Sequence, residues 1–158
     1  MMRVREAQPG DYEAICDLFR QVDELHAELL PSFFRRPKKG GRSREAIRRI
    51  VAANDEALLV ALDPIQELTG LVHVQIYDTP AVQLMVPKRR AHIDNLVVHK
   101  AVRRQGIGTR LVEAAGKWAK GKGAEEVLLT VWEGNRAAEK FYHAMGFRRV
   151  NTVLGREL

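Results

Sequence analysis

The sequence holds a single cysteine, Cys16, so no disulfide can close within the chain. A lone thiol suits a reducing compartment. No apolar run approaches the roughly 20 residues that span a bilayer. The stretch Met1–Glu6 lacks the apolar core of a signal peptide. These absences make the cytoplasm the expected location and leave no role for a membrane. The five histidines, at positions 26, 73, 92, 99 and 143, show no ligand spacing with one another or with Cys16, so no metal site is expected. No internal repeat and no low-complexity tract divides the chain.

What is present is ordinary for a globular protein. Hydrophobic residues make up 46% and charged residues 29% of 158 positions, which argues against long disorder and fits one domain with one core. The net charge of +6 is a weak pointer to an anionic ligand, and it does not choose between nucleic acid and an anionic small molecule.

Met2–Glu6 reads as a short strand. Pro9-Gly10-Asp11 is a turn with Asp11 as N-cap. Ile15, Leu18, Phe19, Val22 and Leu25 then recur at helical spacing, with Cys16 packed beside the stripe. From Pro31 to Arg44 the pattern breaks. Pro31, Pro37, Gly40 and Gly41 forbid a regular helix, and Arg35, Arg36, Lys38, Lys39 and Arg42 form a basic run. Either a solvated loop or a flap near substrate or phosphates fits that run. A helix is expected over 43–54, strands over 57–62, 69–77 and 91–98, a helix over 109–120, a strand over 126–132, a helix over 135–145 and a last strand over 147–154. This order predicts an α/β fold with a mixed sheet and helices on its faces. The strands around the helix 109–120 should be parallel neighbours.

The segment Arg103-Arg104-Gln105-Gly106-Ile107-Gly108-Thr109 joins a strand to a helix. Its glycines let the backbone turn tightly and approach a ligand. The free N–H groups and positive end of the following helix favour an anion. A dinucleotide fingerprint needs a third glycine where Leu111 stands, and a nucleotide P-loop needs a Lys-Ser/Thr pair that Thr109-Arg110 does not supply.

The run Ile93-Asp94-Asn95-Leu96-Val97-Val98 followed by Arg103-Arg104-Gln105-Gly106-Ile107-Gly108 resembles motif A of the GNAT superfamily of N-acetyltransferases. The block from Val131 to Phe147, with Asn135, Ala138, Phe141-Tyr142 and Gly146-Phe147, resembles its motif B. Order and separation also resemble the family's, and the likeness is close from about Ile93 to Phe147. It implies one N-acetyltransferase domain over 1–158. Within it, 1–90 is the acceptor-side half with its loop 31–44, 91–147 the acetyl-CoA-binding core and 147–158 a C-terminal strand. The sheet should be mainly antiparallel and should splay between the strands 93–98 and 127–131.

The resemblance also implies roles. Backbone amides from Arg104 to Gly108, with Arg103, Thr109 and Arg110 beside them, would hold the pyrophosphate of acetyl-CoA. Leu96, Val97 and Val98 would offer main-chain partners to the pantetheine arm, one N–H stabilising the oxyanion. Asn135 would cap the last helix and contact the arm, and Lys140 would face solvent or a CoA phosphate. Tyr142 would be the general acid for the leaving thiolate. Asp94, where many relatives carry Glu, would be the general base that deprotonates the amine, with His92 and His73 as other candidates. The acceptor pocket would draw on Asp23, Glu24, His26, Glu28, Phe33, Phe34 and Tyr77, where acidic and aromatic groups suit a cationic amine. The acceptor is a small amine or a protein amine, and the C-terminal strand could join two copies as a homodimer. Two other functions compete: CoA binding without transfer, as a sensor or scaffold, and nucleic-acid binding through 35–42. The basic run has no interleaved aromatic and no accompanying nucleic-acid-binding signature.

Overall fold

The computed structural model describes residues 1–36, 38, 41–80 and 82–158. Pro37, Lys39 and Gly40, part of the expected basic flap, lie outside the described residues. The order is β1 (Arg3–Glu6), α1 (Tyr12–Leu29), α2 (Arg44–Ala52), β2 (Glu56–Leu62), β3 (Leu68–Asp78), β4 (Arg89–Val98), α3 (Ile107–Gly121), β5 (Glu126–Leu129) and α4 (Arg136–Ala144). The five strands form one sheet in sequence order. Neighbours are antiparallel except β4 and β5, which are parallel across the α3 crossover. No helix among the described residues is long and apolar enough to cross a membrane.

Alternation along the strands builds two cores. Ala57, Leu59, Val72, Val74, Ala91 and Ile93 face α3, meeting Leu111, Val112 and Ala115. Leu58, Val60, Leu71 and Val97 face the other way, meeting Ile15, Leu18, Phe19 and Ile47 of α1 and α2. Each fully buried leucine such as Leu111 contributes about 1.5–3 kcal/mol. Gly70 lets α3 approach β3 closely. A Cβ there would lie 2.9 Å from the Val97 carbonyl oxygen and 3.0 Å from Leu111 Cδ1. Gly70→Ala is expected to cost about 1–3 kcal/mol, read as a lower urea midpoint at unchanged m-value.

Three local expectations are corrected. Asp11 stands at the α1 N-cap but its side chain makes no cap bond there. Both its oxygens instead accept from the Arg5 guanidinium, at 2.7 and 3.0 Å, and one also accepts from the Gln8 N–H. The second correction is at α3, which begins at Ile107 rather than Thr109, so Ile107 and Gly108 already belong to its first turn. The third is the C-terminal strand. Residues 147–158 form no strand, and Val150, Val153, Leu154 and Leu158 are exposed. A strand needs a neighbour to receive its backbone groups. Among the described residues, the only strand in register with β5 is β4.

Candidate active site

β4 and β5 are in register only from Arg90–Glu126 to Ile93–Leu129. Beyond that point β5 ends and β4 runs on to Val98. The sheet therefore parts where a splay was expected, leaving the β5-facing edge of β4 at Leu96, Val97 and Val98 without a strand partner among the described residues. Val97 is buried on the α1 side, while Leu96 and Val98 pack toward α3.

The parting coincides with a β-bulge. His73 pairs with Asn95 and Val74 with Ile93, so Asp94 is the extra residue on β4. A bulge re-aims side chains. Here two consecutive residues, Asp94 and Asn95, both line a cavity of about 280 Å³ on the α1 side of the sheet. Asp23 and His26 from α1 form one wall. Phe34, Arg35 and Arg42 from the connector to α2, with Trp132 from beyond β5, complete it. Phe34 meets Trp132 edge to face at 4.8 Å and stacks on His26 at 5.1 Å. Phe33 also leans on Trp132, at 5.8 Å.

Asp94 sits in a network of hydrogen bonds. His92 Nδ1 lies 2.6 Å from one carboxylate oxygen, and Gln75 Nε2 donates to the other at 2.7 Å. His73 Nδ1 is 3.6 Å from that second oxygen, and its Nε2 is 2.9 Å from Glu56 Oε2. Burial pushes the Asp94 carboxyl up, but the bonds from His92 and Gln75 and the nearby imidazoles more than offset it. The net result holds the group below its ordinary range, so it is a carboxylate at neutral pH. Burial lowers the His26 imidazole, opposed by the charge of Asp23. His26 is therefore neutral at neutral pH.

The loop after β4 has the geometry of an anion cradle. Arg104 is left-handed at φ 67°, and Gly106, the N-cap of α3, at φ 77°. A non-glycine residue there carries strain of the kind that gathers at functional sites. Arg103 Nε donates to the Val98 carbonyl at 3.1 Å and ties the loop to β4. Arg103, Arg104, Gln105, Gly106 and Arg110 are exposed, Thr109 is half-buried, and the Ile107 side chain is in the core. The first-turn N–H groups of Ile107, Gly108 and Thr109 have no acceptor within the helix. Gly108 is needed for a different reason than Gly106. Its Cβ would stand 3.3 Å from Phe141, so it admits α4.

On α4, Asn135 accepts from the Ala138 N–H at 3.2 Å and caps the helix. Asn135→Ala is expected to cost about 1 kcal/mol of stability, measurable as a shift in denaturation midpoint. Lys140 is exposed on α4. Tyr142 packs on the α3-side core, with Phe141 at 5.0 Å and Phe147 at 5.5 Å. Burial pushes its phenol well above the ordinary value, so it stays protonated. Tyr142 packs with the α3-side core, whereas the cavity is walled by α1, on the opposite face of the sheet.

Of the residues expected at the acceptor side, Asp23, His26 and Phe34 line the cavity and Phe33 supports Trp132. Glu24, Glu28 and Tyr77 do not line it. Sequence reasoning missed Asn95 and Trp132 as cavity residues, while Arg35 and Arg42 belong to the basic run read as either a solvated loop or a flap near substrate or phosphates. Trp132 was expected inside the strand 126–132, but β5 ends at Leu129 and Trp132 lies beyond it in the cavity wall.

The profile of the Acetyltransferase (GNAT) family matches residues 21–147. Uncharacterized N-acetyltransferase YhfO of Bacillus subtilis (strain 168) is 28% identical over 146 residues, covering 92% of this chain and 89% of that one. Aminoglycoside N(6')-acetyltransferase type 1 of Klebsiella aerogenes is 32% identical over 101 residues, covering 64% of this chain and 65% of that relative, a little under two thirds of its length. Among solved structures, a tetramutant of the BH1408 protein from Bacillus halodurans superposes with a TM-score of 0.92 at 25% identity, over 99% of each chain.

Proposed function

The chain belongs to the GNAT family of acetyltransferases, and from that premise we propose that it transfers an acetyl group from acetyl-CoA to a primary amine by direct attack in a ternary complex. The observation that carries this reading is the bulge at Asp94. It sets a carboxylate on the floor of a cavity at the point where β4 loses β5 and its edge is free.

The residues fit acetyl-CoA as co-substrate. First-turn amides of α3 and the Arg103, Arg104 and Arg110 guanidinium groups suit a pyrophosphate. The free edge of β4 at Leu96–Val98 offers backbone groups to an extended amide-bearing arm. Acetyl-CoA supplies the activated acetyl thioester. A N–H of that edge would donate to the oxygen on which charge develops.

An amine arrives protonated. Asp94 holds the ammonium as an ion pair and accepts its proton as the nitrogen is freed. A carboxylate held this low keeps a proton only briefly. His73 lies 3.6 Å away and reaches Glu56 at 2.9 Å, which supports a path for the proton out of the cavity. The C–N bond then forms, the C–S bond breaks, and sulfur leaves as thiolate. Tyr142 was expected to protonate it. A phenol raised above its ordinary value of about 10 is a weaker acid than a thiol near 8.5, so full transfer runs uphill. We assign Tyr142 as a hydrogen-bond donor to the developing thiolate, which then takes its proton from solvent.

Calorimetric titration with acetyl-CoA, followed by thiol release against an amine panel, tests the proposal. Micromolar binding with release on one amine class is the expected result. Binding without release on any amine would favour a CoA-holding protein, and no binding at millimolar acetyl-CoA would remove both readings.

A further inference from the structure

We propose that the acceptor is a small molecule bearing both an amine and a carboxylate, its apolar part seated against Phe34 and Trp132, and not a polycation. This rests on the acetyltransferase reading of the same cavity and deepens it.

The argument is charge accounting. Two aspartates and two arginines line the cavity: Asp23, Asp94, Arg35 and Arg42. Asp23 is already satisfied. Both its oxygens accept from the Arg42 guanidinium, one of them at 3.1 Å, with the two side chains 21% and 34% exposed. Arg42 is fixed further by lying 4.4 Å over the Phe19 ring. That pair closes on itself and offers neither a free anion nor a free cation. His26 is neutral and spends its face on Phe34.

Two charges of opposite sign remain. Asp94 is a carboxylate whose partners are Gln75 and two imidazoles, with no guanidinium or ammonium against it, and Arg35 is a guanidinium with no ion-pair partner among the described residues. An ammonium belongs at the first. A carboxylate belongs at the second, where the planar fork of arginine can grip both oxygens. In the same cavity Phe34 and Trp132 stand at 89°, a right-angled apolar wall for the body of the ligand.

A polycation meets the opposite situation. Its first ammonium finds Asp94, but every further one would stand beside the like charge of Arg35 or the closed Asp23–Arg42 pair with no counter-charge. The volume of about 280 Å³ also lies at the small end of ligand pockets. The aminoglycoside acceptor in the name of the Klebsiella aerogenes relative is therefore not the chemistry this cavity selects.

The test measures kcat/KM by thiol release from acetyl-CoA with matched probes. These are L-tryptophan and its methyl ester, glycyl-L-phenylalanine and its amide, and kanamycin. The esters and amides carry the more readily deprotonated amines, so a preference for the acids opposes intrinsic reactivity. At least one acid should exceed its neutral partner by about ten-fold or more, carried in KM. Arg35→Gln should bring that acid down to its partner, and Arg35→Lys should restore part of the preference. Arg35 is exposed, so neither variant threatens folding. Preferred turnover of kanamycin, or of the ester and amide, overturns this inference and leaves the acetyltransferase reading standing. So does an acid preference that survives Arg35→Gln. Acetyl-CoA binding with no thiol release on any probe brings down both.

Discussion

Asp94→Asn should lower kcat by about a hundred- to a thousand-fold at neutral pH, with acetyl-CoA affinity changed by less than about two-fold. Asparagine keeps the size of the side chain and a carbonyl for Gln75, so the network of 2.6 and 2.7 Å contacts loses charge more than shape. The sign of the pH dependence separates a base from a structural carboxylate. The wild-type carboxyl is held below its ordinary range, so it stays ionised through mild acid. The wild type can then bind and deprotonate the acceptor's ammonium, whose reference value is near 10, so its activity should vary little between about pH 5 and 8. Without Asp94 the enzyme must wait for free amine from solution. The deficit should therefore be largest near pH 6–7 and shrink as pH rises toward the amine's value. A deficit constant across pH would remove the base role and leave Asp94 as a positioning group. Asp94→Glu should recover part of the activity, since a carboxylate one methylene longer still reaches a bound amine.

Linkage gives the same group a second readout. A carboxyl whose folded value is depressed contributes stability that is fully present above its unfolded value near 3.9 and is lost as pH falls through the folded value. Asp11, lowered chiefly by its bond from Arg5, behaves alike. Acid unfolding should thus set in below the ordinary carboxylate range, well away from the pH window where turnover is measured.

The cofactor half of the site was legible because backbone demands leave marks in sequence. Gly106 is needed for a left-handed φ of 77° and Gly108 for the closeness of Phe141. Asn135 is needed to receive the Ala138 N–H. Each is a residue type that few others can replace at that point, so its spacing survives as a motif. The acceptor cavity has no such signature. Asp23, Arg42, Asp94 and Trp132 come from four stretches of chain, and what matters is which of them neutralise one another. Asp23 looked like an amine ligand in the sequence, but Arg42, 19 residues away, claims it. The bulge is equally silent, since an extra residue in β4 reads as uninterrupted strand, and only the register against His73 and Val74 exposes it. The segment 147–154 failed in the converse way. Its apolar residues are spaced like a strand, but pairing is a property of the neighbour, and no strand among the described residues takes it up.

The second large effect is at Tyr142. Tyr142→Phe should lower kcat by about ten- to a hundred-fold, the worth of one hydrogen bond to a charge-bearing sulfur, and not by the larger factor of a lost general acid. The phenol is pushed up by burial, so across any practical assay it is protonated and can donate, never accept, a proton. The reference gap of about 1.5 units to a thiol already makes full transfer to thiolate unfavourable by about 2 kcal/mol, and burial widens it. Donation without transfer predicts a variant whose defect is flat in pH. It also predicts that the wild-type alkaline limb is not set by ionisation of Tyr142. Stability should hardly change. The ring packs on Phe141 and Phe147, which phenylalanine preserves, and the hydroxyl has no hydrogen-bond partner among the described residues. A loss of activity with an unchanged melting temperature would therefore be chemical in origin. Acetyl-CoA analogues with a less basic leaving thiol should narrow the gap between Tyr142→Phe and wild type. A gap that stays the same as the thiol is varied would mean that Tyr142 does not touch the sulfur.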